Sequence, residues 1–223
     1  MSEWSAEGRC SRHPIRVPVI YKLKDRAHVK AGMGWTRDLS EEGAYLELTE
    51  RLEPSSTLVL FIGTEKRGLE VEATVVWVGG QGSAGEGILH GVSFPRVSAE
   101  QRQALSNLLN LKGQRQLAGL RLPLEISVLC RPKGKEGPPL QGRTADISRE
   151  GLLLLLSQVV PAGSVLHVTL STARGKVEAE GVIAWVEAQA GQAAAGLVPH
   201  GLRFTDINWS NQMTLGLLLA EMP

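Results

Sequence analysis

The stretch TRDLSEEGAYLE, Thr36 to Glu47, decides how this chain is read. It returns as TADISREGLLLL, Thr144 to Leu155. Each holds the frame D-x-S-x-x-G: Asp38, Ser40 and Gly43, then Asp146, Ser148 and Gly151. The offset is 146 − 38 = 108 residues, and each frame leads into an apolar-rich run. Trp77 in EATVVWV returns at the same offset as Trp185 in AEGVIAWV. HGVSF, His90 to Phe94, returns as HGLRF, His200 to Phe204, offset by 110. IRVPV from Ile15 returns as LRLPL from Leu120, offset by 105. Ordered matches with small drifts mark one unit written twice with altered loops.

Within each unit the periodicity is that of strands. Val17, Val19, Tyr21 and Leu23 alternate with other residues, as do Leu69, Val71, Ala73, Val75 and Trp77. That pattern lays one face of a strand on a core and places Trp77 and Trp185 there. About six strands are expected per unit, near 15–23, 30–39, 43–49, 57–63, 68–79 and 87–94 in the first. Short strands, Gly-rich turns and no helices between them predict two small antiparallel β-barrels. A helix should follow each. In SAEQRQALSNLLNLK, Ser98 and Gln101 form a capping box, Leu105, Leu108, Leu109 and Lys112 share a face, and Gly113 is a stop. In NWSNQMTLGLLLAEMP, Trp209, Met213 and Leu217 share a face, with Asn208 or Ser210 as cap. The expected units are 1–112 and 113–223.

Composition narrows the function. Among 223 residues, 24 Lys and Arg balance 23 Asp and Glu, so affinity for an anion must come from locally clustered charge. That balance and the 4% aromatic content argue against DNA or RNA as partner. Cys10 and Cys130 match no metal-ligand spacing. His90 and His200 recur without companion ligands, so no metal is expected and both read as structural. No nucleophile–base grouping, acid pair or phosphate loop suggests catalysis. No long apolar run or secretory leader is present, and a cytoplasmic protein without membrane insertion is expected.

Ahead of Asp38 lies RHPIR, with Arg12 and Arg16 four apart. R-x-x-x-R, a gap of about twenty residues, D-x-S-x-x-G, and a strand ending in HGVSF together resemble the PilZ domain. The resemblance spans nearly the whole chain. It implies six-stranded barrels and the bacterial second messenger cyclic di-GMP as ligand. It also implies a non-enzymatic receptor with no cofactor, which acts on a protein partner in motility, surface-polysaccharide or regulatory machinery. An Arg guanidinium can fork onto guanine O6 and N7 or onto phosphate, and can stack on a base. Arg12 and Arg16 are the expected clamp, with Arg9 as a helper. Asp38 accepts from guanine N–H groups, Ser40 adds a smaller contact, and Gly43 lets backbone turn and ligand approach. Ligand capture is expected to order the arm EGRCSRHPIR.

The second unit departs from this pattern. Aligning Arg121 with Arg16 puts Leu117 where Arg12 stands, leaving a weaker site of Arg121, Asp146, Ser148 and Gly151. Arg115 could substitute for the missing arginine only by another loop path. Tight binding is therefore expected from the first unit. The second unit's GLLLLL run and last helix would serve packing or association, a homodimer included. The competing reading is an adaptor of two interaction modules with vestigial binding, which has no evident need of Arg12 and Arg16.

Overall fold

A computed structural model describes residues 13–24, 31–63, 69–79, 87–110, 121–134, 137–187 and 196–220. The chain divides into two compact units, Met1–Leu117 and Ala118–Pro223.

The first unit holds β1 (Pro18–Leu23), β2 (Ala31–Leu39), β3 (Gly43–Leu48), β4 (Thr57–Ile62), β5 (Leu69–Val78) and β6 (Ile88–Ser93). They close an antiparallel barrel in the order β1-β2-β3-β6-β5-β4. All six expected strands form. The second unit holds β7 (Leu122–Pro123), β8 (Ser127–Pro132), β9 (Leu140–Ile147), β10 (Gly151–Leu156), β11 (Val165–Thr172), β12 (Gly175–Val186) and β13 (Val198–Asp206). Its barrel runs β8-β9-β10-β13-β12-β11, with β7 added beside β9. Among the described residues no helix is long and apolar enough to cross a membrane.

Alternation fills each barrel. Val19, Tyr21, Leu46, Leu48, Leu60, Ile62 and Val71 are fully buried because one face of each strand lines the interior. Tyr21 fits only because Gly32 has no side chain: a Cβ there would lie 2.2 Å from its hydroxyl oxygen. The tryptophan expectation fails. Trp77 and Trp185 are each 46% exposed. Register shifts between Val75 and Trp77, and between Ile183 and Trp185, add a residue to the ladder. A β-bulge of this kind breaks the period-two alternation and turns the next side chain outward. Val76, already on the outward phase of the alternation, is exposed beside Trp77.

A helix packs on each barrel: α1 (Ala99–Asn110) on β5, α2 (Trp209–Ala220) on β12. The first capping box forms: Gln101 N donates to Ser98 Oγ at 3.1 Å, and Ser98 N to Gln101 Oε1 at 2.8 Å. Leu105 and Leu108 are its buried residues, while Lys112 and Gly113 lie outside the described residues. Asn208 caps α2, accepting from Asn211 N at 2.8 Å. Its buried face is Met213, Leu215, Gly216 and Leu219, one step around from the expected stripe, so Trp209 and Leu217 are half-buried. Gln101 and Asn211 donate side-chain bonds of 2.7 Å to the carbonyls of Glu70 and Glu178, fixing each helix at the same point of its barrel.

His90 and His200 are fully buried. Nε2 of each accepts a backbone N–H at 3.0 Å, from Leu52 and Val160, while Nδ1 faces the carbonyl of Ile88 or Val198. This pairing needs the neutral ring with hydrogen on Nδ1. Burial pushes both imidazoles below their ordinary 6.5. The unfolded chain then binds protons that the folded chain refuses. Stability should be full above pH 6.5 and fall as pH drops below it. Urea midpoints measured across that range should show this decline, and His90→Gln with His200→Gln should flatten it.

Candidate functional site

The site in the first unit is built on a threonine. Thr36 Oγ1 accepts from Val17 N at 2.9 Å and donates to the Ile15 carbonyl. Its backbone N–H donates to the Val17 carbonyl at 2.9 Å, and His13 exchanges both backbone bonds with Leu39. The chain before β1 is thereby bound along β2, and Arg16 sits between the two residues that Thr36 holds. Ile15 and Val17 are buried while Arg16 is partly exposed, so its guanidinium leaves the clamp on the other face. Arg16 Nη1 lies 3.7 Å from Glu47 Oε2, and the Glu47 side chain is only 7% exposed.

The D-x-S-x-x-G turn joins β2 to β3. Ser40 N and Oγ both donate to the Gly43 carbonyl, at 2.9 and 3.0 Å, and Ser40 Oγ accepts from Glu42 N at 3.3 Å. Ser148 repeats this with Gly151 and Glu150. These hydroxyls are buried and engaged by the turn. Gly43 serves the barrel: a Cβ there would lie 2.3 Å from the Val92 carbonyl oxygen across to β6. At Gly151 the corresponding distance, to the Leu202 carbonyl, is 2.1 Å.

Asp38 stands opposite Tyr45, Tyr45 opposite Gly91, and Gly91 opposite Trp77. One row therefore crosses β2, β3, β6 and β5. Gly91 leaves the row open, and the Tyr45 and Trp77 rings stack with centroids 5.5 Å apart at 24°. Glu47, with Arg16 on it, lies two residues from Tyr45 and so on the same face of β3. A cation, a carboxylate and an aromatic platform thus share one outer surface. The sequence gives no sign of Tyr45 in this surface, and its alternation favours core over base stacking for Trp77 because the bulge hides the ring's orientation.

Hydrogen-bond register corrects the alignment of the two units. Thr144 Oγ1 accepts from Ile126 N at 2.9 Å and donates to the Leu124 carbonyl at 2.5 Å, as Thr36 does with Val17 and Ile15. Leu122 pairs with Ile147 as His13 pairs with Leu39. The offset before the first barrel strand is therefore 124 − 15 = 109, against 120 − 15 = 105 for the IRVPV and LRLPL match. Counted along the sequence at this offset, Arg121 aligns with Arg12 and Glu125 with Arg16. The departure in the second unit lies at Glu125 rather than Leu117. Arg121 Nη1 bonds Asp146 Oδ1 at 2.7 Å, and Arg143 Nη1 bonds Glu125 Oε1 at 2.7 Å. Leu153 and Leu155 stand where Tyr45 and Glu47 stand in the first unit, while Trp185 is retained opposite Gly201.

Arg9, Arg12, Arg115 and Leu117 lie outside the described residues, as does Cys10. Among the described residues no group of His, Cys, Asp or Glu could hold a metal ion. Burial pushes the Cys130 thiol up to about 12, which leaves it unreactive at neutral pH.

The model of the PilZ domain family matches residues 8–111 and again 114–221. No curated protein sequence matches the chain. Among solved structures, the Bacillus subtilis inhibitor of motility is 11% identical, with a TM-score of 0.38, over 92% of this chain and 95% of that one. PlzA of Borreliella burgdorferi, solved in complex with c-di-GMP, is 14% identical with a TM-score of 0.43, over 90% and 86%. YcgR of Escherichia coli, also in complex with c-di-GMP, is 12% identical with a TM-score of 0.38, over 91% and 82%.

Proposed function

The chain belongs to the PilZ domain family, in two tandem copies, and from that premise we propose that it is a cyclic di-GMP receptor that binds through its first unit. The family's proteins are cyclic di-GMP receptors and effectors. The observation that carries the reading is Arg16, fixed between two clamped residues beside the Asp38–Tyr45–Gly91–Trp77 row. Arg16 and Arg12 grip phosphate oxygens and the O6 and N7 edge of guanine. Asp38 accepts from guanine N1–H and N2–H. The Tyr45–Trp77 pair offers a flat apolar surface against which a base can lie, a contact of about 1–3 kcal/mol where bases stack on aromatic side chains. Ser40 and Gly43 contribute by holding the turn that presents Asp38. Capture draws the segment bearing Arg12, with Arg9, onto the ligand, and a protein partner reads the altered surface.

Base identity tests this reading. Adenine presents a donor where guanine O6 accepts, so the arginine fork loses a partner. Calorimetry should show cyclic di-GMP binding well ahead of cyclic di-AMP. Equal affinity for both would remove guanine recognition from the account.

A further inference from the structure

We infer that Glu125 is the residue that closes the second unit to cyclic di-GMP, an inference that rests on the function proposed above. Among the described residues, the second unit keeps much of what the first uses. Arg121 aligns in sequence with Arg12, Asp146 stands at the position of Asp38, and Trp185 lies opposite Gly201 as Trp77 lies opposite Gly91. The turn held by Ser148 is also kept. The differences nearest the clamp and the aromatic row can be weighed against a ligand that carries two negative charges. Leu155 in place of Glu47 removes a carboxylate, which favours an anion. Leu153 in place of Tyr45 leaves an apolar surface beside Trp185. Arg143 in place of Trp35 adds a cation. Ala145 in place of Arg37 removes one exposed cation, but only Glu125 reverses the sign, putting a carboxylate where the first unit has a guanidinium.

Its placement makes the reversal effective. Thr144 bonds the carbonyl before Glu125 and the N–H after it, so Glu125 leaves the clamp where Arg16 leaves its own. Glu125 also occupies Arg143 at 2.7 Å, taking a second cation from the ligand. Both side chains are substantially exposed, at 66% and 46%. An exposed pair of this kind contributes little to folding. Glu125 can therefore be replaced without endangering the barrel.

The test is calorimetric titration of the full chain with cyclic di-GMP, alongside circular dichroism to verify folding. Wild type should take up one equivalent and Glu125→Arg two. In the Arg12→Ala/Arg16→Ala background, adding Glu125→Arg should tighten binding by roughly tenfold to a hundredfold, the worth of a charge-assisted contact. Glu125→Gln should give a smaller gain by releasing Arg143, and Glu125→Asp none. A folded Glu125→Arg protein with no gain in either background overturns the inference, as does wild type binding two equivalents tightly. The function proposed for the first unit fails on a different result, wild type taking up no ligand. If Glu125→Arg bound ligand in that event, the inference would stand alone.

Discussion

Replacing Arg16 with alanine lowers the affinity for cyclic di-GMP by roughly tenfold to a hundredfold, the loss of a hydrogen bond to a charged group of about 1.5–3 kcal/mol. Arg12→Ala should do the same. The two residues differ in what else they hold. Arg16 lies 3.7 Å from Glu47, whose side chain is 7% exposed, so alanine also leaves that carboxylate without this cation. A fall in stability should therefore accompany the fall in affinity. Arg16→Lys separates the two effects. Lysine keeps a positive charge near Glu47 but lacks the planar fork that matches guanine or phosphate. Calorimetry on a folded Arg16→Lys protein should still record most of the alanine variant's loss. Affinity equal to wild type in both variants would place the ligand elsewhere.

Thr36→Val should destabilise the first unit by about 2–6 kcal/mol. Valine matches threonine in shape but removes the hydroxyl that accepts from Val17 N and donates to the Ile15 carbonyl. The Val17 amide and Ile15 carbonyl then lose that partner, at about 1–3 kcal/mol for each buried polar group left unsatisfied. Urea denaturation should show the lower midpoint. Because Arg16 lies between the two clamped residues, binding should also weaken under conditions where the variant is still folded. Thr144→Val supplies the contrast. It breaks the matching clamp on Leu124 and Ile126, so it should cost similar stability while leaving tight ligand binding unchanged. Thr36→Val with wild-type stability and affinity would mean that the clamp does not position the arm.

The barrels and helices were legible because their signals are local. Alternation in Leu69, Val71, Ala73 and Val75 marks a half-buried strand wherever it occurs, and all four are buried. Ser98 and Gln101 announce a helix start by spacing alone, and their reciprocal bonds form. Trp77 was misread because one bulge residue shifts the phase of alternation, and sequence carries no mark of where a ladder slips. The second unit's arginine was misaligned for a related reason. The shift from 105 to 109 is four residues, an even number, so inward and outward positions stay in phase. Periodicity cannot separate the two registers, and the likeness of IRVPV to LRLPL favours the wrong one. What decides is the hydroxyl of Thr36 or Thr144 reaching across to a neighbouring strand. The threonine stands two residues before Asp in both motifs, so the signal lay in the opening stretch itself.

Titration of the intact chain with cyclic di-GMP, set against the Arg12→Ala/Arg16→Ala protein, measures whether the first unit's arginines hold the ligand. Wild type should give saturable heat at one equivalent, and the double variant should lose that tight phase while its circular dichroism is unchanged. No heat from wild type, or the same tight phase from the double variant, would contradict that role for the two arginines.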